Sequence, residues 1–374
     1  MMRINVGRLL AVARKEVLQL RRDPRSLAMG FVVPAAMVLF FGYIISFDVK
    51  DIKLAVDDRD GTPRSREFIQ AFVGSGWFRV TEHVERPSDV SRLLDRARVR
   101  MVITIPKGFQ SALAAGKQVA VQAIVDGADA NTASIALNYA NAIVNSYTAT
   151  VVFGSSMRNV PIVVQSRVWY NETLESSNMI VPGLVAIVMM IIAAQLTALT
   201  IAREWERGTM EQLAATPVHP AEVILGKLLP YLVIGMIDML GVVLIGILVF
   251  DVPFRGNPFL LFGMATLFLL GSLGLGIFIS AAIRSQLLAT QTAMQATFLP
   301  SNMLSGFMYD IANMPVILQA ISYAVPARYF ITVLRGAFLK GVGLAVLWPQ
   351  ALAMLLFAVA GLTLAVRSFR KEIV

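Results

Sequence analysis

The residues able to do chemistry are few and unevenly placed. The interval Arg203–Pro220 reads REWERGTMEQLAATPVHP and gathers Glu204, Glu206, Arg207 and Glu211 between two long runs with almost no charge. Such alternating charges suit a docking surface; equally, a cytoplasmic turn is charged simply because it meets water. One further acid, Asp238, falls inside an apolar run. An ionisable group at that depth is costly unless paired or wetted, so it reads as a proton or cation site. It reads equally as an Asp bonded to neighbouring hydroxyls or lying nearer the interface. Hydrolytic and metal chemistry find no support. There are no cysteines, which removes thiol nucleophiles and Cys-based metal sites. The two histidines, His83 and His219, are far apart and form no HExxH-type pair. No Ser/His/Asp constellation is present, so no catalytic and no metal-binding residue is assigned.

The setting of these residues is a membrane. The chain has 374 residues, is 56% hydrophobic and only 15% charged, against about 25% charged in soluble domains. Its net charge of +9 does not indicate nucleic acid, because no basic run is interleaved with aromatics; basic flanks of membrane spans explain it. A bilayer core of about 30 Å needs roughly 20 apolar residues in a helix. Runs of that kind predict six spans, over 27–47, 179–202, 228–250, 258–283, 286–309 and 342–366. The stretch 310–341 is broken by Pro315 and Pro326 and reads as re-entrant on the outer side, with Asp310, Arg328, Arg335 and Lys340 solvated.

Arginines crowd residues 1–26, and Arg367, Arg370 and Lys371 follow the last span. The positive-inside rule therefore predicts both termini, the tail 367–374 and the loop 203–227 on the cytoplasmic side of an inner membrane. The leader repeats apolar residues at helical spacing (Val6, Leu9, Leu10, Ala13, Val17, Leu20), which predicts an interfacial amphipathic helix ending at Asp23-Pro24. The first apolar run, 27–47, is too long for the apolar region of a signal peptide and its basic leader too extended, which argues for a retained anchor rather than a cleaved signal. Residues 48–178 alternate β-prone runs (IKLAV, FRVTEHV, MVITIP, VAVQAIVDG) with helical pieces, which predicts an inserted extracytoplasmic α/β domain. A long helix over 131–153 and a strand over PIVVQSRVWY should follow. The sequon at Asn171 is treated as chance.

Within the charged loop, a short helix through Glu211-Gln212-Leu213 should stop at Thr216-Pro217, and a second should start near Pro220. The run EWERGTMEQLAATPVHPAEVILGKLLPY resembles the E-x-E-x-G-T-x-E-x-L-x-x-x-P loop of ABC type-2 transport permeases. The likeness extends to the basic leader, to Val181-Pro182-Gly183 and to VDGADANTASIALNYANAIV. It is strongest to the YhhJ/YbhR-type bacterial inner-membrane exporters; Asn171-Glu172 departs from the Asn-Pro of that branch. The resemblance implies a permease subunit without ATPase activity and a loop that acts as a coupling helix seated in a separate ABC ATPase. Glu204, Glu206, Arg207, Gly208, Thr209, Glu211, Leu213 and Pro217 would contact or position against that ATPase. ATP and Mg would bind the ATPase alone, because this chain has no GxxxxGK[ST] phosphate loop. A second permease copy or paralogue, membrane lipid and a periplasmic adaptor with an outer-membrane channel complete the implied partners.

Small residues at Ser272, Gly276 and Ser280 predict a close helix crossing, either within the bundle or at a dimer seam. The fifth run is polar for a membrane helix. Gln291, Gln295 and Asn302, with Gln195 of the second run, are expected to face the bundle interior or a translocation path, and the resemblance favours the path. Two rival readings remain: an ion-coupled secondary transporter using Asp238, which lacks the internal repeats of that class, and a membrane-anchored receptor, for which six spans are too many. Substrate identity (drug, lipid or ion) is not legible.

Overall fold

The computed structural model describes residues 5–45, 51–84, 86–128, 130–153, 170 and 175–369. The strand expected over 161–170, apart from Tyr170, the Asn171 sequon and the basic pair Arg370 and Lys371 lie outside the described residues. The chain divides into two compact units, Met1–Ser46 with Val168–Val374, and Phe47–Arg167.

The chain begins with α1 (Val6–Arg21), capped by the Asn5 side chain, and α2 (Pro24–Ile44), capped by Asp23. Pro24 ends one helix and starts the next because it has no N–H to give at N1, where none is needed. On α1 the buried side is Glu16 and Leu20, while Val6, Leu10 and Val17 are exposed. The apolar residues of the leader are thus shared between protein and surroundings.

The second unit runs β1 (Ile52–Asp58), α3 (Pro63–Gly74), β2 (Phe78–His83), α4 (Pro87–Asp95), β3 (Met101–Ile105), α5 (Phe109–Ala114), β4 (Gln122–Val125) and α6 (Ala130–Phe153). Its four strands fall on the β-prone runs and pair in the order β2-β1-β3-β4. The first three are parallel, joined by helical crossovers, and β4 is antiparallel at the edge. Both faces of the sheet are covered. Phe68, Phe72, Phe109 and Ala140 pack with Leu54 and Ile103 on one side, and Leu93 and Val99 with Ala55 and Val102 on the other. Burial of all five residues of β3 follows from that sandwiching.

The first unit continues with α7 (Ser176–Glu206), α8 (Met210–Ala214), α9 (Pro220–Leu248), α10 (Pro258–Ala282), α11 (Gln286–Leu304), α12 (Val316–Ser322), α13 (Pro326–Arg335) and α14 (Leu344–Ser368). Five helices (α2, α7, α9, α10, α14) are long and apolar enough to cross a membrane. Expected as the fifth of six spans, α11 stops at Leu304 rather than near Tyr309. Its Gln and Thr residues keep it below that apolar standard, although 19 residues span about 28 Å at 1.5 Å per residue. Beyond it, α12 and the segment Pro326–Lys340 meet at 78°, a break set by Pro326. The solvated reading of Arg335 needs correction: its Nε and Nη2 are buried without a hydrogen-bond partner.

At the centre of the bundle, α7 is buried over nearly its whole length. The small residues of α10 allow this. A Cβ on Gly276 would stand 2.1 Å from Thr197 Oγ1 and 2.2 Å from the Ala194 carbonyl oxygen. Thr197 donates to the Leu273 carbonyl at 2.9 Å, and Ser280 Oγ accepts from Ile201 N and Ala202 N at 3.0 and 2.9 Å. Ser272 is buried and donates to Phe268. The stripe Ser272, Gly276 and Ser280 therefore belongs to an internal crossing and not to a dimer seam. On another side of α10, Gly274 meets the backbone of Gly361 on α14.

Candidate functional site

The charged interval forms a corner built from the end of α7, the short α8 and the start of α9, with α1 laid across it. The turn out of α7 depends on Gly208, whose φ is +69°. Gly208 N donates to the Trp205 carbonyl and Thr209 N to the Glu204 carbonyl, each at 3.1 Å. This is a Schellman termination, in which the residue after the cap takes the left-handed conformation that glycine adopts without penalty. The return into α9 is fixed by a capping box. Glu222 accepts from His219 N at 2.9 Å, and His219 Nδ1 accepts from Ala221 N. The other Glu222 oxygen accepts from Asn5 N at 2.7 Å, which ties the start of α1 to the same turn.

Beneath this corner lies a buried ion network. Lys227 Nζ lies 3.1 Å from Glu16 Oε2 and 3.0 Å from Glu204 Oε1. Glu204 Oε1 is also 2.8 Å from Lys15 Nζ, and Tyr231 donates to Glu16 Oε1 at 2.9 Å. Lys227 and both carboxylates are almost fully enclosed, whereas the Lys15 side chain is half exposed. The distant α1 is thus fastened to the end of α7 and the start of α9. The α1–α9 crossing is close enough that a Cβ on Gly226 would meet the Leu9 carbonyl oxygen at 2.8 Å.

Two further fasteners sit at the end of α7. Arg203 pairs with Asp23 at 2.7 Å. Burial alone would raise the Asp23 carboxyl, but hydrogen bonds from Ser26 and the Arg203 guanidinium outweigh it and hold the group below its ordinary value. Glu206 accepts from Gln286 N at 2.7 Å and from the Gln286 amide, and so caps the start of α11.

The residues expected to meet a partner therefore separate. Glu204 is corrected from a contact residue to an internal one, because both its cationic partners come from this chain and the residue is buried. Gly208, Thr209 and the Glu206 carboxylate shape the corner. Arg207, Glu211, Gln212, Thr216 and Pro217 are exposed, while Leu213 is half-buried and packs on the core. Sequence reading missed Glu16, Lys227, Tyr231 and Glu222. The available signal was Glu16 on the apolar stripe of α1 and Lys227 amid Val223, Ile224 and Leu228.

The polar residues of the spans divide likewise. Gln291 and Gln295 are exposed on α11 and Asn302 is half-buried. The opposite face, Ala289, Ala293 and Thr297, is buried, with the two alanines packed on Ala194, Ala198 and Ala202 of α7. The polar side thus faces away from this chain's bundle, contrary to an interior placement; Gln195 on α7 is half-buried. Asp238 is buried on α9, and among the described residues no hydrogen-bond or ion-pair partner lies beside it. Among the described residues no cluster of His, Cys, Asp or Glu could hold a metal.

The family described as "ABC-2 family transporter protein" matches residues 24–367. The chain is 36% identical over 336 residues to "Probable multidrug ABC transporter permease YbhS" of Escherichia coli (strain K12), covering 89% of each chain. It is 28% identical to "Probable multidrug ABC transporter permease YbhR" of the same organism, over 98% of this chain and 99% of that one. To "Inner membrane transport permease YhhJ", also of that strain, it is 29% identical over 86% and 85%.

Proposed function

The chain belongs to the ABC-2 transporter family as the transmembrane subunit of an ABC exporter, and from that premise we propose that its α7–α8–α9 corner receives a separate ATPase. The complex exports a drug-like, lipid or ionic substrate across an inner membrane. The observation carrying this reading is the build of the corner. Exposed Arg207 and Glu211 stand on a turn whose underside is bolted to α1 and α9 by Lys227, Glu16 and Glu204. A push on α8 is delivered to two spans instead of being lost in a loose loop. The related permeases' names support a drug-like substrate.

We further propose a dimer, homo- or heterodimeric, in which the polar side of α11 with Gln195 lines a shared path. Polar side chains at membrane depth need partners away from hydrocarbon, and Gln291 and Gln295 point away from their own bundle. In this reading both termini and the corner are cytoplasmic and the Phe47–Arg167 unit is external.

The test is affinity purification of the tagged full chain in mild detergent, wild type beside Arg207→Glu/Glu211→Lys. Glu204 is left intact because reversing a buried charge would damage the fold. An ABC ATPase retained by wild type and lost from the folded variant supports the reading. Equal retention by both would place the docking surface elsewhere.

A further inference from the structure

A cavity of about 880 Å³ opens between the α1–α2 hinge, the end of α7 and the start of α11. Its wall is strongly cationic: Lys15, Arg22, Arg25, Arg203 and Arg207 stand against the single carboxylate of Asp23. The cations are not equivalent. Arg203 is fixed by Asp23 and Ser26, and Lys15 is engaged by Glu204. Arg22, Arg25 and Arg207 are exposed, and among the described residues no ion-pair or hydrogen-bond partner lies beside their guanidinium groups. Charge left unbalanced around a concave, partly enclosed space calls for an anion.

The remainder of the wall identifies the class of anion. Leu18, Met29 and Leu199 line the same cavity, and α2 beside them is long and apolar enough to cross a membrane. A small hydrated anion gains nothing from such a surface, whereas an amphiphile places a charged head among the arginines and its chains along the apolar side. Basic pockets between membrane helices on the cytoplasmic side suit phosphate headgroups, and Arg offers paired donors to phosphate oxygens. We propose that this cavity binds the phosphate headgroup of an anionic lipid from the leaflet at the corner's level.

The proposal takes its membrane side from the reading above, but lipid binding is measured without the ATPase, so either can fail alone. The full chain, delipidated in detergent, is titrated with phosphatidylglycerol, phosphatidylcholine and soluble glycerol phosphate and followed by native mass spectrometry. Wild type is expected to hold phosphatidylglycerol at least about tenfold tighter than phosphatidylcholine, because the unpaired arginines attract only the lipid with net negative charge. Arg22→Gln/Arg25→Gln should remove that preference and Arg22→Lys/Arg25→Lys should keep most of it. Equal binding of both lipids by wild type, or an undiminished preference in a folded Gln variant, overturns the proposal. Displacement of the lipid by equimolar glycerol phosphate overturns the lipid assignment in favour of a soluble phosphate ester. If the Gln variant does not fold, the two-lipid comparison on wild type and the Lys variant still decides.

Discussion

Lys227→Met tests whether the corner is a single mechanical piece. Lys227 lies between two carboxylates at 3.0 and 3.1 Å, with its side chain 2% exposed. Methionine fills similar volume but leaves Glu16 with Tyr231 alone and Glu204 with the half-exposed Lys15. Removing one member of a buried ion pair typically costs about 3–5 kcal/mol, because the remaining charge stays buried. By contrast, Lys15→Met should cost at most about 1 kcal/mol, since water screens a half-exposed pair. On the usual scaling for a fold of this size the first variant lowers the melting temperature by about 10 °C and the second by about 2 °C. Thermal unfolding of the purified chain, read by near-ultraviolet fluorescence, distinguishes them. Glu16→Gln/Lys227→Met, which removes opposite charges together, should recover part of the loss, giving a coupling energy of about 1–3 kcal/mol. If Lys227→Met melts within about 2 °C of wild type, or if the double variant is no better than the single, the network does not hold the corner together.

Other outcomes follow from the same geometry. Gly276→Ala should abolish stable expression, because its methyl would lie 2.1 Å from Thr197 Oγ1 and force α7 from α10; Gly263→Ala, where a methyl meets open space, is the control, and both are read by membrane yield and gel filtration. Gly208→Ala should cost about 1–2 kcal/mol for left-handed backbone and weaken ATPase retention more than it lowers the melting temperature. Because the chain has no cysteine, Gln295→Cys should form an oxidative dimer in membranes while Leu352→Cys, exposed on α14, should not; absence of the first band counts against a homodimer through α11. The Asp23 carboxyl is depressed in the folded state, so its stabilisation is full above its unfolded value of 3.8 and is lost as pH falls through the folded value. The melting difference between wild type and Asp23→Asn should therefore be constant above about pH 5, narrow as pH falls below about 4 and vanish only below the folded value.

Much of the helical framework was legible because proline marks it. Pro24, Pro220, Pro258 and Pro326 stand in the first turns of four helices, where a missing N–H costs nothing. Gly208 entered through the resemblance, and its φ of +69° gives the physical reason for glycine there. What spacing could not supply was the partner of each surface. Nothing local pairs Glu16 with Lys227, which are 211 residues apart, and the network turned Glu204 from a contact into a fastener. The polarity of α11 was visible, yet which side it faced depended on alanines of two helices meeting, and small residues carry little pattern of their own. The Ser272–Ser280 stripe admitted two packings; hydrogen bonds from the α7 backbone to Ser280 decide between them.

The crossing of α1 over α9 at Gly226 carries a consequence for the transport cycle. With Asn5 bonded to Glu222 and Glu16 to Lys227 on α9, and Lys15 bonded to Glu204 on α7, α1 acts as a strut bracing the end of α7 against the start of α9. Two spans braced in this way cannot tilt independently. In the proposed coupling to an ATPase, a stroke entering at α8 would therefore turn them as one arm.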